Sequence, residues 1–270
     1  MREPYRLQLR FCGARGSRPT PVADNMGFGG NTTCLEVRSA HGDQLLIDAG
    51  SGLSNVSCGE EASRFHFLMT HFHIDHIQGL PFFAPLFDRA ARMTFWSHEP
   101  PATVGSTLDV LMSSPYSPAL DSVAATRDYI QVDGSAFSHG SITIYPFPLN
   151  HPQGALGYRI ESGGATIVHA SDLEHGHAEL DSVLREHAQD ADVLIYDAQY
   201  TDEEYRSKKG WGHSTWREAT SVARDAGVKH LILFHHDPHH DDRTMQAIVT
   251  EARRHFENTD AAREGTTLAL

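Results

Sequence analysis

Between positions 71 and 76 the chain reads His71-Phe72-His73-Ile74-Asp75-His76, three imidazoles and a carboxylate within six residues. Neutral imidazole and carboxylate together form a donor set for zinc, with manganese or iron as other occupants. In an extended stretch residues i and i+2 face one side, so His71 and His73 converge on one ion. A turn into a helix directly afterwards points Asp75 and His76 elsewhere, toward a second ion. In two-metal hydrolases the ions lie roughly 3.5–4 Å apart. Four local donors cannot saturate two ions, so the rest must arrive from other parts of the chain.

The elements that would deliver them show as apolar runs ending on donor residues. Residues 65–69 are short and almost wholly apolar, as for a strand covered on both faces, and stop at Thr70-His71. Residues 142–145 lead to Asn150-His151-Pro152, residues 166–169 to Ser171-Asp172, and residues 231–234 to His235-His236. His235 follows its strand directly and is preferred over His236. Asp48 closes the run 44–47, either orienting a ligand imidazole or forming the turn ahead of Gly50. Further strand signals lie at 7–11, 33–37 and 193–196. Thr215-x-x-Glu218 has capping-box spacing ahead of Trp216, Ala219, Thr220 and Ala223, with Gly227 as the stop. From 81 to 133 the pattern loosens around Pro100-Pro101 and residues 113–118, which predicts an excursion over the core that could act as a lid. Two strand-rich halves, each closed by helices, predict two sheets face to face with helices outside, within a single domain spanning 1–270.

Composition narrows the function. The 270 residues are 40% hydrophobic and 21% charged, which excludes disordered and collagen-like classes. Twenty-two basic against thirty-five acidic side chains leave a net charge of −13, which works against a broad grip on a nucleic acid backbone. Cys12, Cys34 and Cys58 are odd in number and lack C-x-x-C spacing, so they suggest neither a disulfide framework nor a four-cysteine zinc site. With no apolar signal core at the start and no long apolar span, the expectation is a cytoplasmic protein without a membrane partner. Gly27-Phe28-Gly29-Gly30-Asn31-Thr32-Thr33 can approach a ligand closely but lacks the lysine of a phosphate loop.

The order H-x-H-x-D-H, His, Asp, His resembles the metallo-β-lactamase fold superfamily, with matching motifs from Leu7 to Asp242. The resemblance implies an α/β fold, a four-layer αββα sandwich with a dinuclear site at one sheet edge. It implies that His71, His73 and His151 hold one divalent ion, that Asp75, His76 and His235 hold the other, and that Asp172 bridges them. Flavodiiron oxidoreductases place a Glu where His73 stands, and many true β-lactamases place a Cys at the position of Asp172, so both branches lose ground. A bridging carboxylate brings two ions onto one water and lowers its pKa toward about 7, the nucleophile that phosphodiester hydrolysis needs.

A second signature, Ala191-Asp192-Val193-Leu194-Ile195-Tyr196-Asp197-Ala198-Gln199-Tyr200 followed by Gly210-Trp211-Gly212-His213-Ser214-Thr215, resembles the motifs of the tRNA 3′-processing ribonucleases and related phosphodiesterases. It implies that His213 contacts the phosphoryl oxygen or protonates the departing oxygen while Asp197 fixes its tautomer. Asp75, His213 and Asp197 are therefore the candidate catalytic residues. The chain lacks the long basic arm with which those ribonucleases grip tRNA, which favours a small, cyclic-nucleotide-like phosphodiester as substrate and no stable nucleic acid partner. The resemblance also implies a homodimer. Tyr116, Trp211 and Trp216 are candidates for stacking on a base, with core packing as the alternative. Three other readings stay open: a lactone, thioester or amide hydrolase, a ribonuclease acting on RNA 3′ ends, and a non-catalytic metal-binding protein for which Asp237-Pro238-His239-His240-Asp241-Asp242 would store metal.

Overall fold

The computed structural model describes residues 5–58, 64–116 and 122–270. Among these, a first sheet carries β1 (Leu7–Gly13), β2 (Cys34–Ser39), β3 (Gln44–Ile47), β4 (Arg64–Leu68), β5 (Arg92–Ser97) and β6 (Thr126–Gln131) side by side in chain order. A second carries β7 (Phe137–His139), β8 (Ile142–Leu149), β9 (Ala155–Ser162), β10 (Ala165–Ala170), β11 (Val193–Asp197), β12 (Leu231–Phe234) and β13 (Thr259–Ala261). The last strand, β14 (Thr267–Ala269), returns to the first sheet beside β1. Strands β3 to β6 run parallel, as do β10 to β13, so each sheet gathers several carboxyl ends at one edge. Open sheets of this kind bind ligands just outside those ends.

The period-2 alternation of a strand assigns its side chains to different layers. In β12, Ile232 and Phe234 face the other sheet while Leu231 and Leu233 face the helices. β11 repeats this with Val193 and Ile195 against Leu194 and Tyr196. That explains why these runs are apolar throughout. Helices α3 (Ala178–Ala188), α5 (Trp216–Asp225) and α6 (Asp242–Ala252) cover the second sheet, and α2 (Pro101–Leu111) covers the first. Two short helices, α1 (Ile74–Ile77) and α4 (Asp202–Tyr205), lie in the connections. The layers are those of the expected αββα sandwich.

Three local readings need amendment. Much of residues 81–133 belongs to the packed fold and is not an excursion over it: β5 and β6 extend the first sheet and α2 packs on it, with Met93, Phe95, Val104 and Leu108 buried. Strand β8 runs on to Leu149 through Pro146 and Pro148, which is tolerated because β7 pairs only with residues 142–144 and leaves that stretch as an edge. Helix α5 uses half of its capping box. Thr215 Oγ1 accepts from the Glu218 N–H at 3.2 Å, but the Glu218 carboxylate pairs with Arg185 instead of returning to the cap. Gly227 stands past its end at φ 65°. The start of the chain, read for a signal core, and residues 117–121 of the expected lid lie at least partly outside the described residues. No helix among the described residues is long and apolar enough to cross a membrane.

Candidate metal centre and active site

At the edge where β3, β4, β8, β10, β11 and β12 end, the two sheets bring seven side chains together. His73 stands in extended backbone (φ −61°, ψ 153°) and α1 begins at the next residue, so the chain turns where Asp75 and His76 need a new direction. Donor atoms of His71, His73 and His151 lie within 4.8 Å of one another, as do those of Asp75, His76 and His235, and those of His71, His76 and Asp172. Asp172 stands between the groups, with Oδ2 3.2 Å from His76 Nε2 and Oδ1 3.3 Å from His235 Nε2 and 3.9 Å from His71 Nε2. All but His73 are buried.

The surrounding structure decides which ring nitrogen faces inward. His76 Nδ1 meets Asp48 Oδ2 at 2.8 Å, His151 Nδ1 donates to the Gly212 carbonyl at 2.9 Å, and His235 Nδ1 donates to Gln199 Oε1 at 2.8 Å. In each case Nε2 is turned to the centre, the arrangement by which outer hydrogen bonds fix the tautomer of a ligating imidazole. Asp48 thus touches a ligand-type ring instead of serving only as a turn residue, and Thr70 Oγ1 also lies within reach of both His71 and His76. Asp48, Asp172 and His235 all have φ near 60°. Non-glycine residues pay for left-handed backbone, and such residues gather at functional sites.

Several neighbours carry no readable sequence signal. The Ser17 N–H donates to Asp75 Oδ2 at 2.8 Å. A Cβ on Gly16 would stand 2.4 Å from the His235 ring, so the backbone itself packs on that imidazole. Gln153 Oε1 lies 3.3 Å from His73 Nε2. The N–H groups of Gly27 and Phe28 are spent on Asp242, and those of Gly30 and Asn31 on Glu264, so this glycine run offers no anion cradle.

The electrostatics of the cluster call for cations. Burial alone would raise both carboxyl pKa values, but His235 and His76 hold Asp172 well below the ordinary range, and His76 and His235 do the same for Asp75. Burial opposes charge on His76, yet Asp172, Asp75 and Asp48 lift it well above 6.5, and Asp172 leads the groups that lift His235 to about 9. Burial keeps His71 well below its usual value. Two buried carboxylates therefore demand positive charge from adjacent rings, and a divalent cation supplies it without protons. His71 Nε2 and His76 Nε2, both buried, lack a hydrogen-bond partner among the described residues. Orphaned nitrogens beside buried carboxylates fit a metal centre.

Beside the cluster, His213 Nδ1 lies 2.9 Å from Asp197 Oδ2, and its ring stacks on His235 at 4.8 Å between centroids. Asp197 is fixed by the N–H groups of Asp172, Gln199 and Ser214. Of the aromatic candidates, Trp216 is buried on α5 beneath Arg217 and offers no stacking face, whereas Trp211 and Tyr116 are exposed. His236 points away from the cluster and pairs with the Ala262 carbonyl at 2.8 Å. His239 pairs with Asp237 and His240 with Glu204, and no grouping of three metal-type side chains among the described residues includes either.

Residues 44–236 match the family model described as a Beta-lactamase superfamily domain. The chain belongs to that family, and it is a metal-dependent hydrolase of the metallo-β-lactamase fold. It is 28% identical to a ribonuclease Z of Gemmatimonas aurantiaca over 98% of this chain and 96% of that protein. It is 25% identical to a ribonuclease Z of Haloferax volcanii, over 85% and 84%. The metallo-beta-lactamase fold protein YhfI from Bacillus subtilis superposes with a TM-score of 0.73 at 20% identity, covering 97% of this chain and 98% of that one.

Proposed function

We propose that the protein is a dinuclear metal-dependent phosphodiesterase acting on a small, cyclic-nucleotide-like diester. The observation that carries this reading is the His213–Asp197 couple, held at 2.9 Å beside a cluster whose central residue is a carboxylate, Asp172. His71, His73 and His151 would hold one ion, Asp75, His76 and His235 the other, with Asp172 between them. Zinc suits this donor set best, with manganese or iron as alternatives. Bound, the ions supply Lewis acidity toward phosphoryl oxygen and make water more acidic.

The protein's own groups account for the proton movements. Hydrolysis forms one P–O bond to a water oxygen and breaks one P–O ester bond. His213 Nε2 is the nitrogen left for substrate once Nδ1–H is paired with Asp197; a ring that enters the step protonated on both nitrogens gives the Nε2 proton to the departing oxygen, and the proton released by water restores it. Asp197 cannot turn away, because three backbone N–H groups hold it, so the couple keeps one orientation throughout.

Small size is supported by the net charge of −13, which two divalent cations only partly offset. A ribonuclease acting on RNA 3′ ends is the second reading, favoured by the names of the two relatives above. The test is turnover of bis-p-nitrophenyl phosphate, cyclic nucleotides and a short RNA by metal-loaded protein. The expected outcome is cleavage of the first two, with His213→Ala losing about 10²–10⁴-fold in kcat at unchanged metal content. Faster turnover of a lactone or thioester, or undiminished activity of His213→Ala, would overturn the proposal.

A further inference from the structure

Next to His71 and His73 lies a pocket of about 150 Å³, a volume class that holds a six-membered ring. Three elements outside the ligand set build it: His98 and Glu99 after β5, Thr103 and Thr107 one turn apart on α2, and Gln153 in the turn between β8 and β9. The pocket therefore lies between the β5–α2 segment of the first sheet and the β8–β9 turn of the second, and it meets the candidate metal centre at the two histidines.

Its walls carry hydrogen-bonding groups with a defined sense. Gln153 Oε1 is engaged by His73 Nε2, which leaves its amide N–H groups to donate. Among the described residues the Glu99 carboxylate has one polar side-chain partner, the His98 ring, Oε1 to Nε2 at 3.4 Å, and so keeps acceptor capacity for a ligand. Its position is fixed from behind, because the Glu99 N–H donates to Ser97 Oγ at 3.0 Å and the His98 carbonyl accepts from Gln131 Nε2 on β6 at 2.9 Å. No Lys or Arg lines the pocket among the described residues. A second phosphate or a carboxylate would lie against the Glu99 carboxylate with no Lys or Arg of the lining to offset the repulsion, whereas a neutral hydroxyl or amino group would make a charge-assisted hydrogen bond to it.

We propose that this pocket recognises the alcohol portion of the diester, and that Glu99 selects substrates carrying a neutral hydroxyl or amino donor there. The inference rests on the phosphodiesterase reading and adds the chemistry of the group beyond the phosphate. Two sources of such a donor exist in a cyclic nucleotide, the sugar 2′-hydroxyl and an exocyclic amine of the base.

The test compares kcat/KM for adenosine 3′,5′-cyclic phosphate, its 2′-deoxy analogue, inosine 3′,5′-cyclic phosphate and bis-p-nitrophenyl phosphate, in the metal-loaded protein and in Glu99→Ala and Glu99→Gln. The wild type should prefer the adenosine compound over one of the two analogues by about tenfold, the analogue identifying the donor. Glu99→Ala should lower the ratio of adenosine to bis-p-nitrophenyl phosphate turnover at least about tenfold and abolish the preference, with Glu99→Gln in between. Calorimetry should show the same loss of preference in binding of the monophosphate products. Equal turnover of all three nucleotides by wild type, a preference unmoved in Glu99→Ala, or cleavage of bis-p-nitrophenyl phosphate without any nucleotide would overturn the pocket assignment while sparing the phosphodiesterase reading. No cleavage of bis-p-nitrophenyl phosphate by metal-loaded wild type would overturn both.

Discussion

Two stretches of this chain are rich in histidine and aspartate, residues 71–76 and residues 235–242, yet they are built differently. In the first, every ligand-type residue joins a convergent group, His71 and His73 with His151, Asp75 and His76 with His235, and His71 and His76 with Asp172. In the second, only His235 does so. His236 is spent on a backbone carbonyl, His239 on Asp237, His240 on Glu204, Asp241 on the N–H of Thr244 at the start of α6, and Asp242 on the N–H groups of Gly27 and Phe28. The second stretch is the denser in ligand-type residues, and His236 Nδ1 and His240 Nδ1 are buried there without a hydrogen-bond partner just as His71 Nε2 and His76 Nε2 are in the first, but only donors that converge beside buried carboxylates create a demand for a cation. The second stretch holds loops together: its carbonyls at Asp237 and His240 accept from the fully buried Arg15, which reaches across to Gly29 and Asn25 as well.

The contrast can be broken most forcefully by exchanging the two kinds of histidine. His76→Ala should weaken zinc binding by more than about 100-fold, beyond what loss of a supporting hydrogen bond to a ligand costs. The double variant His239→Ala/His240→Ala should bind zinc as the wild type does. Metal titration of both decides it, and equal losses would erase the distinction.

A smaller effect is expected at Glu174, which follows Asp172 by two residues. Its carboxylate accepts from Tyr205 Oη and from the N–H groups of Gly210 and Gly212, and so fixes the loop that supplies the Gly212 carbonyl to His151 and carries His213. Misplacing that loop by about 1 Å should cost about 10²-fold in kcat. Glu174→Gln, which keeps an acceptor oxygen, should recover part of it, and metal content should hold. A loss confined to thermal stability would show Glu174 to be a structural staple only.

The smallest effect concerns a histidine that belongs to neither stretch. His66 on β4 lies against Trp96 and against His139 of the other sheet, with ring centroids 5.3 and 4.0 Å away. Burial, then the nearby charges of His139 and Arg64, lower its pKa from 6.5 to about 4. Below pH 6.5 the unfolded chain takes up a proton that the folded chain refuses, so this contribution is intact above 6.5 and is lost as pH falls toward 4. The melting temperature of His66→Phe should fall less steeply over that window than that of the wild type; parallel curves would contradict the assignment.

What the sequence discloses of this molecule follows from the range of each signal. The 71–76 run is readable because its donors are local, and the strands ending at Asp48, His71, His151, Asp172 and His235 are readable because each buries a largely apolar run just before its donor, β12 on both faces throughout. The expected αββα layering follows from those runs. β5 and β6 escape notice because Arg92 and Thr126 open them in exposed positions, β6 is nowhere buried, and the prolines at 100 and 101 look like loop when they begin α2. The Ser17 N–H, the Gly212 carbonyl, Gln153 and Glu174 leave no trace in composition or period. They matter through contacts that exist only once distant turns have closed on the sheet edge.

The central claim is that seven side chains hold a pair of divalent cations with Asp172 between them. Anomalous diffraction from zinc- or manganese-loaded crystals tests it most directly. Two peaks roughly 3.5–4 Å apart are expected, one against His71, His73 and His151, the other against Asp75, His76 and His235. A single peak, or peaks at His239 and His240 with the cluster empty, would contradict it.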